Sequence, residues 1–520
     1  MSWDAEAQEI AARRRFADAL GGPEMVERQH ASGRQTIRER LHQLVDADSF
    51  QEVGRLTGSG QYADGAIKSV TPAPYVMGLA KIDGRDVAIG GEDFTVRGGT
   101  SWGSDRRKGG QGGFVEDLAF NYRIPLVNLI DGSGGSVTSA SRRGYAVLPG
   151  IHGFEQSVAL LGQVPVVSAV LGTAAGGPAG RAILSHMSVM VKSSSHIFAA
   201  GPPVVKRSLG QDLTKEELGG SKIAVDMAGT IDNVVESEAD AFAQVRRFLS
   251  YMPQNVWQIP PVIASDDPAD RAEEELLSIV PRERRKPYNM RKLMALVADR
   301  GSLFEIQPSF GRAVITSFGR MNGKPVGFIA NNPMVYGGAM DAAAARKQLH
   351  FVDLCDCFHI PIIFLVDVPG FMVGLQAEQS ATLREGMRAV HAALQATVPI
   401  LTVIIRKCYG MAGMATCDKN GLDLKIAWPS AEWGSLPIEG GVAAAYRREI
   451  ERAKDPKARE KELEAELRAQ ASPFRTAEAF AIEDIIDPRE TRAYLCRFID
   501  AAQGRIATSL GPKPKYGVRP

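Results

Sequence analysis

An internal duplication constrains this chain more than any local motif does. The segment KIDGRDVAIGGEDFTVRGGT (81–100) carries Gly84, Val87, Gly98 and Gly99. RMNGKPVGFIANNPMVYGGA (320–339) carries Gly323, Val326, Gly337 and Gly338, and each pair is 239 positions apart, as 323 minus 84 gives. Two further matches follow in the same order: IPLVNLIDGSG (124–134) with IPIIFLVDVPG (360–370), and VPVVSAVLGTAAGG (164–177) with VPILTVIIRKCYGM (398–411). A repeat of this period implies two copies of one folded unit, and 520 residues exceed what a single hydrophobic core usually serves. The boundary is expected near residue 265, in WQIPPVIASDDPADRAEEELLSIVPRERRKPY, where prolines accompany dense charge. The expected domains are 1–265 and 266–520.

Each repeat reads as a strand pair, a Gly-Gly loop, a helix, a buried strand ending in Asp, a second helix and another apolar strand. IPLVNLI and VPVVSAVL are short, continuous and β-branched, as strands covered on both faces are. The alternation predicts an α/β class. A formal net charge of +1 argues against electrostatic capture of nucleic acid or of an anionic membrane. No apolar run is long enough to span a bilayer, and MSWDAEAQEIAARRRFADAL lacks the apolar core of a secretory signal. The five cysteines, Cys355, Cys357, Cys408, Cys417 and Cys496, form no paired C-x-x-C framework. We therefore expect neither disulfides nor a metal site, and a reducing cytoplasm as the location.

The loops after the apolar strands carry the candidate chemistry. VPVVSAVLG runs into Thr173-Ala174-Ala175-Gly176-Gly177-Pro178-Ala179, and VPILTVIIRK runs into Tyr409-Gly410-Met411-Ala412-Gly413-Met414-Ala415. Small residues let a ligand approach the main chain, and a helix starting there offers free N–H groups and its positive dipole end. Each loop is therefore a candidate oxyanion hole. Asp131 and Asp367 end buried strands and are expected to cap the following turns. Lys407 is a candidate for contact with phosphate or with the second ligand. The eight histidines show no spacing with Ser, Asp or a metal ligand and are expected to be structural or surface residues.

From about residue 20 to about 500 the chain resembles the carboxyltransferase β subunits of propionyl-CoA and related acyl-CoA carboxylases. The resemblance rests on EDFTVRGGT (92–100), LTKEELGGSK (213–222), KPYNMRKLMALVADRGSLFEI (286–306), VDVPGF (366–371), ATVPILTVIIRKCYG (396–410) and AWPSAEW (427–433), among others. It implies tandem crotonase-like domains in a hexameric core, the first on the acyl-CoA side and the second on the biotin side. The N-half of one subunit would face the C-half of its neighbour. The implied reaction moves carboxylate from carboxybiotin, held on a biotin carboxylase/carboxyl carrier partner, to the α-carbon of an acyl-CoA. Enolate intermediates would be held in two oxyanion holes. By the same resemblance Gly176 and Gly177 hold the thioester oxygen, Met411 and Ala412 correspond to them for the biotin ureido oxygen, and Met414 faces the acyl group. Against the family pattern, GSGGSVTSASRR follows Asp131, Pro178 follows the first Gly-Gly, and Met411 replaces a glycine. The alternatives are a biotin-dependent decarboxylase subunit and a noncatalytic CoA-binding paralogue.

Overall fold

The structure, a computed structural model, describes residues 2–100, 115–135, 144–145, 154–416 and 424–513. The chain divides into two compact units, Met1–Gln258 and Ile259–Pro520.

In the first unit the strands are β1 (Gln51–Val53), β2 (Gly58–Ala63), β3 (Ala66–Pro72), β4 (Tyr75–Ile82), β5 (Arg85–Glu92), β6 (Leu126–Gly132), β7 (Val166–Ala175), β8 (Met187–Val191), β9 (His196–Phe198) and β10 (Asn233–Val235). Its main sheet runs β1-β4-β5-β6-β7-β8-β10, with β9 also paired to β7. The first three strands pair antiparallel and every later pair is parallel. β2 and β3 form a separate hairpin.

The second unit contains β11 (Phe304–Ile306), β12 (Val314–Met321), β13 (Lys324–Asn331), β14 (Ile362–Val368), β15 (Ile400–Tyr409), β16 (Leu424–Ala427), β17 (Glu432–Gly434) and β18 (Asp484–Ile485). Its sheet runs β11-β12-β13-β14-β15-β16-β18, with β17 on β15, and repeats the antiparallel-then-parallel pattern. This is the tandem α/β architecture expected from the repeat. The parallel central strands β6, β7 and β14 are buried along their whole length, which explains their continuous apolar runs.

The repeated glycines answer to geometry. The β4–β5 and β12–β13 hairpins turn at Asp83-Gly84 (φ 49° and 76°) and Asn322-Gly323 (φ 49° and 77°), the two positive φ values that suit a tight hairpin to strand twist. A carboxylate holds each turn. Asp46 accepts from the N–H groups of Asp83 (2.9 Å) and Gly84 (2.7 Å), and Asp299 accepts from those of Asn322 (3.0 Å) and Gly323 (2.7 Å). The Gly-Gly motifs form 3-10 turns at Arg97–Gly99 and Tyr336–Gly338. A Cβ on Gly99 would stand 2.5 Å from the Asp131 carbonyl oxygen, and one on Gly338 would stand 2.2 Å from that of Asp367. In both units the Gly-Gly turn therefore lies directly against the end of the Asp-bearing strand.

Candidate functional site

Each unit ends its longest strand in a glycine turn followed by a short helix. β7 and β15 are both ten residues long and begin 234 positions apart, as 400 minus 166 gives. Both are followed by a glycine at φ 58°, Gly176 and Gly410. Helices Gly177–Ile183 and Gly410–Met414 follow, the first with its ladder starting at the Gly180 N–H to Gly176 carbonyl bond of 2.9 Å. First-turn N–H groups have no acceptor within their own helix, so each turn presents main-chain donors at a strand end.

The two strands have equal length and end in the same left-handed glycine, which sets Gly176 against Gly410, Gly177 against Met411 and Pro178 against Ala412, as the repeat VPVVSAVLGTAAGG and VPILTVIIRKCYGM aligns them. Ala412 therefore keeps an N–H at the position where Pro178 has none.

A buried anion anchors each turn three residues upstream. Asp131 Oδ1 accepts from the Thr173 N–H (3.2 Å) and from Arg34 Nη1 (2.9 Å), while Oδ2 accepts from Arg40 Nη1 (3.0 Å) and Gln29 Nε2 (3.2 Å). Arg40 also grips Glu238 with two nitrogens, at 3.0 and 2.7 Å, and donates to the Leu171 carbonyl at 3.0 Å. In the second unit Asp367 Oδ1 accepts from the Lys407 N–H (3.2 Å) and Oδ2 from Arg406 Nε (3.0 Å). These aspartates engage the chain that leads into the turns, and each binds arginines of its own unit, a wider role than the capping expected of them. Arg406 occupies the place of Gly172, where a Cβ would stand 2.1 Å from Asp131 Oδ1. Glycine there leaves room for cations delivered by the N-terminal segment.

Sequence reasoning missed these arginines, together with Glu92 and Arg181, which form a buried ion pair. Burial pushes the Glu92 carboxyl above its ordinary range against the pull of Arg181. It also missed Lys215, whose Nζ donates to Thr173 Oγ1 at 3.1 Å beside the first turn. The LTKEELGGSK motif gave the only signal for that lysine. Burial lowers the Lys407 ammonium, with nearby Asp367 opposing the shift. His186 is structural: its Nδ1 accepts from the Val166 N–H at 3.0 Å and its Nε2 lies 2.9 Å from the Leu161 carbonyl, splinting the start of β7.

Around the second turn lies a cavity of about 1000 Å³, lined by residues that include Phe371, Val373, Tyr409, Met411, Met414 and Leu436. Ala412 is fully buried, whereas Met411 and Met414 are 46% and 57% exposed. Among the described residues no group of three His, Cys, Asp or Glu side chains converges in metal-ligand fashion, and no helix is long and apolar enough to cross a membrane. The departures expected at residues 136–143 and the thiol of Cys417 lie outside the described residues.

The two tandem α/β units, each with a parallel-rich sheet, have the crotonase-like fold of carboxyl transferases. The chain belongs to the carboxyl transferase domain family, whose model matches residues 28–514. It is 35% identical, over 99% of both chains, to the propionyl-CoA carboxylase carboxyltransferase subunit of Haloferax mediterranei. It is 34% identical, over 92% of both chains, to the methylmalonyl-CoA decarboxylase subunit alpha of Propionigenium modestum. Among solved structures it is similar to the transcarboxylase 12S hexamer with methylmalonyl-coenzyme A and methylmalonic acid bound. There the TM-score is 0.88 and the identity 32%, covering 100% of this chain and 99% of that one.

Proposed function

We propose that this chain is the carboxyltransferase subunit of a biotin-dependent acyl-CoA carboxylase, accepting carboxylate from biotin carried on another polypeptide and placing it on the α-carbon of an acyl-CoA. The observation that carries the reading is the pair of equivalent glycine turns, since the transfer develops negative charge on two oxygens. In the first unit (1–265 in the sequence division) the N–H groups of Gly176 and Gly177 hold the thioester oxygen. In the second (266–520) those of Met411 and Ala412, with Gly410 beside them, hold the ureido oxygen of biotin. Biotin, when delivered, supplies the carboxylate bound to its ureido nitrogen.

Fixed main-chain donors stabilise charge where it develops without reorganising, an effect worth about 3–4 kcal/mol for one donor. Asp131 and Asp367 contribute rigidity: each ties the third residue before a turn to buried arginine, so donor positions are set before ligands arrive. The active assembly is a hexameric core in which the N-half of one subunit meets the C-half of the next, partnered by a biotin carboxylase/biotin carboxyl carrier subunit in the cytoplasm.

The resemblance to a decarboxylase subunit favours one second reading, the same transfer run in reverse. Co-purification separates the two. A biotinylated, ATP-hydrolysing partner supports the carboxylase, and a membrane-embedded decarboxylase assembly overturns it in favour of the second reading. Recovery of neither partner would overturn both.

A further inference from the structure

Each unit docks the short helix that follows its glycine turn, and the two do so with different chemistry. In the first unit Arg181, on helix Gly177–Ile183, ion-pairs with Glu92 Oε1 and donates from Nη1 to the Tyr75 hydroxyl at 2.9 Å. The other oxygen of Glu92 accepts from the Asp131 N–H at 3.2 Å. Tyr75 and Glu92 stand opposite each other on β4 and β5, and all three side chains are buried. Glu92 lies where the parts of the site meet. A Cβ on Gly99 would stand 3.0 Å from the Glu92 Cβ, and one on Gly132 would stand 2.7 Å from its Cγ and 3.0 Å from Pro178 Cγ. One carboxylate thus joins the end of β6 to the helix that begins at Gly177.

The second unit supplies an internal control. Val314 and Asn331, again opposite each other, hold the places of Tyr75 and Glu92, as 314 minus 75 and 331 minus 92 both give 239. Ala415 holds the place of Arg181, since 415 minus 181 gives the 234 that separates β7 from β15. Asn331 Oδ1 keeps the bond to the strand end, accepting from the Asp367 N–H at 3.1 Å. Gln348 Nε2 ties down the helix there, donating to the Ala415 carbonyl at 2.7 Å. The same architecture therefore forms without the ion pair, and replacing a buried pair by neutral side chains often leaves stability unchanged. What the pair adds is a fixed position, because its bonds are directional and the low dielectric around them strengthens them. The first turn depends on placement more than the second, since Pro178 removes the third N–H that Ala412 retains. We propose that Tyr75, Glu92 and Arg181 are positioning residues that set the Gly176 and Gly177 donors against the thioester oxygen. The inference rests on the carboxyltransferase reading of the first turn.

The test grafts the second unit's residues into the first. Tyr75→Val/Glu92→Asn/Arg181→Ala and the milder Glu92→Gln/Arg181→Met both keep an acceptor for the Asp131 N–H. Sedimentation and urea unfolding of the assembled chain are expected to stay close to wild type. Transfer from a carboxylated biotinyl carrier is measured on the best acceptor among acetyl-, propionyl-, butanoyl- and octanoyl-CoA. Its kcat should fall by on the order of 10- to 100-fold with KM for the acyl-CoA nearly unchanged, because oxyanion donors act in the transition state. Amide hydrogen exchange followed by mass spectrometry should quicken by roughly tenfold in a peptide spanning 176–183 and stay as in wild type across 410–416. Wild-type kcat in a variant that assembles, a rise in KM alone, or exchange that is unchanged or quickens equally in both units overturns the inference and leaves the carboxyltransferase reading intact. Failure of both variants to assemble overturns it too, since the three residues would then serve the fold. Local quickening of exchange, in variants of a chain whose wild type labels no acyl-CoA, supports the three residues as holders of the turn and removes the carboxyltransferase reading.

Discussion

Gly176 and Gly410 show how a single backbone angle can be a functional commitment. Both sit at φ 58°, and nothing except the Gly134 Cα, at 4.0 Å, approaches a Cβ built on Gly176. A side chain there is opposed by the backbone conformation and by any ligand seated on the turn, not by packing. Gly176→Val should therefore fold, with a stability loss of about 1–2 kcal/mol, while transfer falls on the order of 100-fold as donors are displaced. Steady-state transfer rates set beside urea unfolding check the split, and near-normal transfer would remove the first turn from the mechanism. A second residue-scale prediction concerns Lys347, which is buried and donates to the carbonyls of Gln307 (2.6 Å) and Phe310 (3.1 Å). Burial pulls its ammonium down to about 7 from an ordinary 10.5. Between those values the unfolded chain holds a proton that the folded chain lacks, so stability rises with pH across the window. Wild type should gain on Lys347→Met by an amount on the order of a few kcal/mol between pH 7 and 9, measured by urea unfolding at both. Parallel pH profiles would contradict it. Nothing in the pattern marks Lys347 as buried, because ARKQLH reads as an ordinary polar helix face.

The legible part of each element was the part fixed by backbone geometry. Glycines at the two hairpins, the two 3-10 turns and the two strand ends recur because positive φ or close approach excludes other residues. The hidden part was compensation between side chains. Asp131 and Asp367 align by sequence, yet one recruits Arg34 and Arg40 from far upstream while the other uses Arg406 from the neighbouring strand. Spacing cannot reveal partners about a hundred residues away. The turn-holding carboxylates went unnoticed for a similar reason, since Asp46 and Asp299 lie 253 apart (299 minus 46) and fall outside the 239-residue offset. They also differ in surroundings. Asp299 is buried and receives Arg492 Nη2 at 2.8 Å, whereas Asp46 is half-buried with Arg246 at 3.9 Å. Asp299→Ala should thus cost about 3 kcal/mol, leaving a buried guanidinium short of a partner, and Asp46→Ala only about 1 kcal/mol. Denaturant midpoints of the two variants test the ranking, and equal losses would mean that the turns, not the arginine, dominate.

Across the whole molecule, the duplication explains why one chain carries two similar turns with different chemistry around them. The first lies beside Thr173 and Lys215. The second opens into an apolar cavity and keeps an N–H at Ala412 where the first has Pro178. If each reaction needs the first unit of one subunit opposite the second unit of another, a monomer cannot complete the site. Sedimentation combined with activity should show transfer only in oligomers, and a fully active monomer would exclude the arrangement. The carboxyltransferase role itself is tested most directly in a single turnover that omits ATP and bicarbonate. A biotinyl carrier carboxylated with isotopic label is mixed with the purified chain and an acyl-CoA, and the thioester is recovered. We predict that the label passes to the α-carbon of the acyl-CoA as an acid-stable carboxylate, and that this passage depends on the chain. Label that remains on the carrier, or leaves as carbon dioxide with the acyl-CoA unmarked, would contradict the account.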